Sequence, residues 1–203
     1  MIIICGIWVH GHGLRRVLMY KYFKKLNYPI NIKKKDLKMA KVIVSQIGGP
    51  NGELSAAIRY FSQKFSMPDD IGKSLLNDIA CEELGHVEMV ATMLSQLTKG
   101  ATIEEIKACG LDAYYTDHGL GVYPVDANGV PFTAAYFYSS DDVLANLSDD
   151  MAAEEKARAT YEYLINLADD PDVIAPLLFL RQREIVHFNR FKELYDYYKG
   201  LMS

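Results

Sequence analysis

Two histidines of this chain each follow a glutamate by three residues, in two copies of the pattern Glu-x-x-His. In both copies a further glutamate lies 30 residues before the first member of the pattern. The two sets are Glu53 with Glu83 and His86, and Glu154 with Glu184 and His187. Residues three apart lie on the same face of an α-helix, so each glutamate can point in the same direction as its histidine. The repeat therefore predicts four carboxylates and two imidazoles that converge in the interior of the protein.

Four carboxylates in a protein interior need partners, because an unpaired buried charge is very costly to remove from water. Two divalent cations would bring four positive charges to the cluster. Oxygen ligands combined with imidazole suit Mn or Fe better than a thiolate-seeking metal. We therefore predict a dinuclear metal site that holds two Mn or two Fe ions per subunit. Helical phase favours Glu83 over its neighbour Glu82, and the repeat favours Glu154 over Glu155.

Four long helices are predicted to position these residues. The first extends from about Leu37 into the 60s with a break at residues 48–52, the second from a Ser66 cap to before Gly100, the third from residues 140–142 to 168, and the fourth from Asp170 to Gly200. Helices one and two are joined tightly, as are helices three and four. Residues 100–139 connect the two hairpins and contain one short helix candidate, at 101–109. This connectivity predicts an all-α, ferritin-like four-helix bundle with a long crossover between helices two and three.

Charge divides the chain into a basic N-terminal extension, residues 1–36, and a bundle, residues 37–200. Residues 1–41 hold ten of the 22 Lys and Arg residues but only one of the 26 acids, Asp36. The extension is either a solvated tail or an arm that docks on the acidic body of a neighbouring subunit. Residues 1–18 have two interpretations as well: they are native, or they are an extension without a packed role, upstream of a second start at Met19.

Several classes of function are disfavoured by composition. No aromatic and basic recognition motif accompanies the basic segment, so nucleic-acid binding is not expected. No apolar run approaches the length of a membrane span. The three cysteines form no Cys-x-x-Cys pair, which favours a reduced setting over a disulfide framework. Cys81 is expected to be a small core residue.

Five stretches resemble the manganese catalases, and more closely their short relatives, the spore coat proteins of the JC type. They are GGPNGELSAAIRY, EELGHVEMVATM, PFTAAYF, DMAAEEKARATYEYL and REIVHF, and the resemblance covers roughly residues 20–199. The metal ligands that the resemblance implies are Glu53, Glu83, His86, Glu154 and His187. It also implies that Glu83 bridges the metals, that Glu184 handles protons beside them, and that Tyr60 hydrogen-bonds near the cluster. Some family members carry an arginine where this chain has Ala153, and this difference implies a more open site.

The resemblance implies a manganese catalase, which disproportionates hydrogen peroxide to water and oxygen. One alternative is a structural spore coat component whose metal site is vestigial or supports the fold. Another is a di-iron oxidase or peroxidase built on the same bundle. The expected assembly is a homo-oligomer, a hexamer by family resemblance, with other spore coat proteins as further partners. The expected location is the spore coat, after synthesis in the cytoplasm.

Overall fold

The computed structural model describes residues 25–202. The predictions for residues 1–24, including the alternative start at Met19, lie outside the described residues. Within residues 25–202 there are eight α-helices: α1 Leu37–Ile43, α2 Ser45–Gly48, α3 Glu53–Gln63, α4 Asp70–Thr98, α5 Ile103–Ala108, α6 Asp112–His118, α7 Val143–Leu167 and α8 Pro171–Leu201. None of these helices combines the length and the apolarity needed to cross a membrane.

Helices α3, α4, α7 and α8 form the bundle. Helix α3 packs on α4 and α7 packs on α8, and the two hairpins meet through contacts of α4 with α8 and of α3 with α7. The predicted all-α class and the predicted pairing into hairpins are therefore confirmed. Helices α7 and α8 begin at the predicted positions, where Asp142 accepts a hydrogen bond from the backbone of Ala145 and Asp170 accepts one from the backbone of Asp172.

Two details of the predicted second helix are wrong. The N-cap of α4 is Asp69, whose carboxylate accepts from the backbone N–H of Gly72 at 3.0 Å, and not Ser66. The Ser66 hydroxyl instead donates to the carbonyl of Gln63, at the end of the preceding helix. Cys81 is exposed on α4 rather than buried in the core, because it lies on the face of the helix that is turned away from the bundle.

The predicted break in the first helix, at residues 48–52, positions Glu53 at the first residue of α3. Gly48 lies at this break, where a Cβ atom would collide with the backbone of Pro124 in the crossover. The absence of a side chain at Gly48 thus lets the crossover pack directly on the N-terminal end of the first hairpin.

The crossover is more structured than the sequence indicates. The predicted short helix is present as α5 and begins with a capping box at Thr102, but α6 was not predicted. The last part of the crossover is tied to α3 by two hydrogen bonds. Arg59 Nη2 donates to the carbonyl of Tyr136 at 3.2 Å, and Gln63 Nε2 donates to the carbonyl of Tyr138 at 2.9 Å.

Two apolar clusters fill the bundle, and a polar layer separates them. One cluster draws on residues 89–97 of α4 and residues 173–180 of α8. The other draws on residues 76–80 of α4 and residues 191–198 of α8. Both Glu-x-x-His pairs fall between these segments, one pair on each helix. The fold thus encloses the predicted site with apolar packing on both sides.

Candidate metal centre

The six residues singled out in the sequence meet in this polar layer. Helix α3 supplies Glu53, α4 supplies Glu83 and His86, α7 supplies Glu154, and α8 supplies Glu184 and His187. None of them exposes more than 2% of its surface. Each member of the first set precedes its counterpart in the second set by 101 residues. The two hairpins therefore contribute equivalent residues to one centre, as the two halves of a pseudo-two-fold arrangement do.

The side-chain atoms form two overlapping groups of four, and in each group the atoms lie within 4.8 Å of one another. The first group is Glu53, Glu83, His86 and Glu184, and the second is Glu83, Glu154, Glu184 and His187. Each group has three carboxylates and one imidazole. Glu83 and Glu184 belong to both groups. Their carboxylates therefore lie between the two places where a metal ion could bind, and each carboxylate could contact both ions.

Both histidines direct the same ring nitrogen into the cluster. His86 Nδ1 lies 2.8 Å from Glu83 Oε2, and His187 Nδ1 lies 2.6 Å from Glu83 Oε1. The two rings stack with centroids 5.7 Å apart and planes 21° apart. Glu83 is therefore at the centre of the site, with one carboxylate oxygen toward each histidine.

Two tyrosines hold the outer glutamates, and each comes from the opposite hairpin. The Tyr60 hydroxyl donates to Glu154, and the Tyr161 hydroxyl donates to Glu53. Both tyrosines are fully buried. Tyr60 was predicted near the cluster, but Tyr161 was missed. The same 101-residue offset that relates the glutamates also relates Tyr60 to Tyr161, and this was the signal that could have found it.

Several oxygen atoms of the cluster make no hydrogen bond of standard geometry with any of residues 25–202. They are both carboxylate oxygens of Glu184, Oε1 of Glu83 and Oε2 of Glu154. Buried polar atoms in proteins are nearly always hydrogen-bonded, so these oxygens are unusual unless a cation binds there. Oxygen and imidazole donors in this number fit hard divalent metals such as Mn or Fe, so the residues present fit a dinuclear metal group.

The electrostatics of the metal-free cluster are those of crowded carboxylates. Burial, and then the charge of Glu83, raises the pKa of Glu53. Burial, and then the charges of Glu53 and Glu83, raises the pKa of Glu184. Burial also favours the neutral form of Glu83, but the charges of His187 and His86 outweigh this effect and lower its pKa. Without metal, protons on neighbouring groups therefore balance the charge of Glu83.

The match to known proteins agrees with this geometry. The family description "Manganese containing catalase" matches residues 19–199 of the chain. The chain belongs to the manganese catalase family. Protein CotJC of Bacillus subtilis (strain 168) is 47% identical over 181 residues, which are 89% of this chain and 95% of that protein.

Proteins that are named as manganese catalases resemble the chain less closely in sequence, and one of them has a solved structure with a similar fold. A probable manganese catalase of Clostridium acetobutylicum is 34% identical over 177 residues, which cover 86% of this chain and 79% of that protein. The crystal structure of KatB, a manganese catalase from Anabaena, is 34% identical and superposes with a TM-score of 0.81, covering 89% of this chain and 81% of that one. The predicted family and its helical-bundle fold are thus confirmed.

Glu82, which the helical phase set aside, lies outside the cluster but contacts both histidines. Its carboxylate oxygens lie 3.6 Å from His86 Nε2 and 3.2 Å from His187 Nε2. Arg183 holds the same carboxylate, with Nε 2.5 Å from Oε1 and Nη2 3.2 Å from Oε2. In this member of the family the preference for Glu83 agrees with the geometry, but Glu82 was not predicted to have a role. Glu155, the other alternative, is at the surface and pairs with Arg158.

One buried acidic residue between α3 and α7, next to the metal centre, was not predicted from the sequence. Asp150 is completely buried, and neither of its carboxylate oxygens has a hydrogen bond of standard geometry in the described chain. Arg59 lies nearby, almost fully buried, with its Nε 3.0 Å from Oδ2 of Asp149. Burial raises the pKa of Asp150, although the charge of Arg59 opposes the shift.

A narrow cleft between α3 and α7 reaches the centre, with about 10 Å³ of space for the centre of a water-sized molecule. Glu154 and Glu184 lie at its inner end, and its sides are formed largely by small residues, among them Gly52, Ala56 and Ala153. Ala153 was singled out in the sequence as the position where some family members carry an arginine. Because this position faces the cleft, the small side chain leaves room for a small molecule to approach the carboxylates.

Proposed function

We propose that this protein disproportionates hydrogen peroxide to water and oxygen at a dinuclear manganese centre. The observation that supports the proposal most strongly is the pair of overlapping donor groups that share Glu83 and Glu184, with several orphaned carboxylate oxygens between them. The proposed ligands are Glu53, Glu83 and His86 on one side, and Glu154, Glu83 and His187 on the other. Two Mn ions, when bound, supply the two-electron redox chemistry that the reaction needs.

The residues of this chain would orient peroxide and manage its protons. Glu184 is the proposed base that accepts a proton from peroxide, since it lies at the inner end of the cleft and its oxygens have no other partner. Without metal, burial and the neighbouring carboxylates raise the pKa of Glu184, so this carboxylate takes up a proton more readily than a carboxylate in water. Tyr60 is proposed to hold Glu154 in place through its hydrogen bond. The narrow cleft favours a substrate the size of peroxide over bulkier hydroperoxides.

The test is oxygen evolution from peroxide, measured with an electrode, for the protein loaded with Mn and separately with Fe. We expect rapid oxygen evolution from the Mn form and little from the Fe form. Glu83→Ala should abolish it, because Glu83 contacts both histidines and belongs to both donor groups. Glu155→Ala is the matched control: this exposed glutamate lies next to Glu154 and should leave the activity unchanged. Equal evolution by the Glu83→Ala and unsubstituted proteins would contradict the proposal.

A structural role in the spore coat is a second candidate. It is favoured by the 47% identity to Protein CotJC over 95% of that protein. Exposed tyrosines, among them Tyr138, Tyr163 and Tyr197, offer aromatic contact surface to other copies or to other coat proteins. If the protein binds two metal ions per chain but evolves no oxygen, the coat role with a retained metal centre becomes the better description. A homo-oligomer located in the spore coat is compatible with either role.

A further inference from the structure

The two histidines share one carboxylate on the side that faces away from the metal centre. The outer nitrogens, Nε2 of His86 and Nε2 of His187, are both buried, and no hydrogen bond of standard geometry reaches either from another residue of the described chain. Glu82 is the acidic side chain that lies within 4 Å of both. Glu82 Oε1 faces His86, and Glu82 Oε2 faces His187.

This arrangement matters because an imidazole can bind a metal only through a nitrogen without a proton. The partner of the other nitrogen decides which tautomer is present and how the ring is oriented. Here the inner Nδ1 atoms face the carboxylate cluster, so the proton of each neutral ring must be on Nε2. A carboxylate beside both Nε2 atoms stabilises that tautomer in both rings at once.

Arg183 explains how a single carboxylate can occupy this position. It approaches Glu82 with two guanidinium nitrogens, a geometry that fixes a carboxylate more firmly than a single contact does. Arg183 is also the counterpart of Glu82 in the second hairpin, 101 residues further along the chain. The two halves of the pseudo-two-fold repeat have the same residue type at each of the cluster positions. At the positions of Glu82 and Arg183, in contrast, they have residues of opposite charge. Two glutamates here would repel each other, whereas a glutamate and an arginine form one neutral pair that serves both rings.

We infer that Glu82, held by Arg183, is the positioning residue that presents Nδ1 of both His86 and His187 to the metal centre. This inference rests on the proposed dimanganese site. The competing explanation is that Glu82 and Arg183 form only a salt bridge between α4 and α8. The structure contains a matched pair for comparison, because Asp78 on α4 and Arg190 on α8 also form a salt bridge, at 2.7 Å, without contacting either histidine.

The experiment measures Mn binding rather than oxygen evolution. Mn content per chain and the Mn dissociation constants are determined by chelator competition for each variant, and the EPR spectrum reports coupling between the two ions. Glu82→Ala should weaken Mn binding about 10–100-fold and reduce the coupled-pair signal. Glu82→Gln should chiefly weaken one of the two ions, because an amide offers one acceptor oxygen where the carboxylate offers two. The double variant Asp78→Asn/Arg190→Gln should bind Mn with unchanged affinity.

A charge reversal uses the internal symmetry as a second test. In Glu82→Arg/Arg183→Glu the carboxylate would stand on α8, four residues before His187, as Glu82 now stands four residues before His86. We expect this variant to recover most of the Mn affinity that Glu82→Ala loses. Unchanged Mn affinity and an unchanged EPR spectrum in Glu82→Ala would overturn the inference, as would equal losses in Glu82→Ala and in the Asp78 and Arg190 control.

The outcomes also separate this inference from the proposed function. If two Mn ions bind tightly but no oxygen is evolved, the proposed catalase activity is refuted. The Mn dissociation constants of the variants still decide the role of Glu82. Failure of the unsubstituted protein to bind Mn would overturn both.

Discussion

Each outer glutamate of the centre depends on a tyrosine from the other hairpin. Tyr60 of α3 holds Glu154 of α7, and Tyr161 of α7 holds Glu53 of α3. The hydroxyls fix one oxygen of each carboxylate, so the remaining oxygen is directed toward the centre. The two hairpins are thereby joined by paired hydrogen bonds at the centre itself, where a small displacement would alter the donor geometry.

Removing the Tyr161 hydroxyl should therefore weaken the site even though Tyr161 is not a proposed ligand. In Tyr161→Phe, Glu53 loses its buried donor, and a hydrogen bond to a charged group contributes about 1.5–3 kcal/mol. We expect Mn affinity to fall by about 10-fold or more, with a similar loss in Tyr60→Phe because the two positions are equivalent. Tyr163→Phe, at an exposed tyrosine of α7, is the control and should bind Mn like the unsubstituted protein. Chelator competition measures all three.

Glu184 belongs to both donor groups and is also the proposed base, and one substitution separates these two roles. Glu184→Gln keeps the size and one acceptor oxygen of the side chain but cannot take up a proton. We expect the variant to retain most of its Mn and to lose about 100-fold or more in oxygen evolution, the usual contribution of a positioned acid or base. Mn analysis and the oxygen electrode are applied to the same samples. Loss of Mn in this variant would make Glu184 a ligand and not a separate base.

Sequence spacing predicted the six clustered residues because it depends only on helix geometry and on the repeat. Tyr60 was assigned from the family resemblance, whereas Glu82 and Asp150 gave no signal of their own. Their importance depends on which groups of other helices they face, and the sequence of one helix does not contain that information. Tyr161 is different, because the 101-residue offset from Tyr60 was available in the sequence and was not used.

At the scale of helices, strong periodicity and caps predicted α4, α7 and α8, while local turns were less well predicted. Asp69 replaced Ser66 as the cap of α4, since both are good cap residues and sequence alone does not decide between neighbours of similar preference. Helix α6 was missed because its residues read as a polar, tyrosine-rich loop. It lies within the crossover, whose structure depends on packing against the bundle rather than on its own periodicity.

The buried carboxylate of Asp150, where α7 packs on α3, destabilises the fold when it is ionised. Asp150 has a pKa raised by burial above its ordinary value of 3.8, so the folded protein binds its proton more tightly than the unfolded chain does. The stability of the protein should therefore fall as pH rises from about 4 through the folded pKa. Asp150→Asn replaces the carboxylate with a neutral amide and removes this dependence of stability on pH. The variant should have a free energy of unfolding about 1–3 kcal/mol higher at pH 8. Near pH 4 and below the difference should vanish.

Thermal unfolding at about pH 4 and pH 8 measures this effect. The matched control is Asp149→Asn, which removes the carboxylate 3.0 Å from the buried Arg59. We expect Asp149→Asn to destabilise the protein, because a buried guanidinium is left without its closest partner. If Asp150→Asn destabilised the fold at pH 8 as much as Asp149→Asn does, Asp150 would be an essential partner of Arg59.

Across the whole molecule, the polar centre interrupts what would otherwise be one continuous apolar core. The two apolar clusters pack above and below it, and each holds together parts of α4 and α8. The centre joins all four bundle helices through polar side chains. The charge balance of that centre therefore affects the stability of the complete bundle, and metal binding is linked to folding.

Metal removal should accordingly destabilise the protein, and more strongly at high pH. Burial favours neutral imidazole, but the charge of Glu83 and the contacts of each ring with neighbouring glutamates together outweigh it and raise the pKa of His86 and His187 above 6.5. Groups with a raised folded pKa stabilise the metal-free protein below pH 6.5, and this contribution is lost as pH rises through the folded values. Bound metal replaces those protons, and an ion at 100 times its Kd adds about 2.7 kcal/mol. The difference in Tm between Mn-loaded and chelator-treated protein should thus widen from about pH 6 to pH 9, as calorimetry can measure. Glu83→Ala should abolish most of that difference, and a difference independent of pH would contradict this account of the metal-free centre.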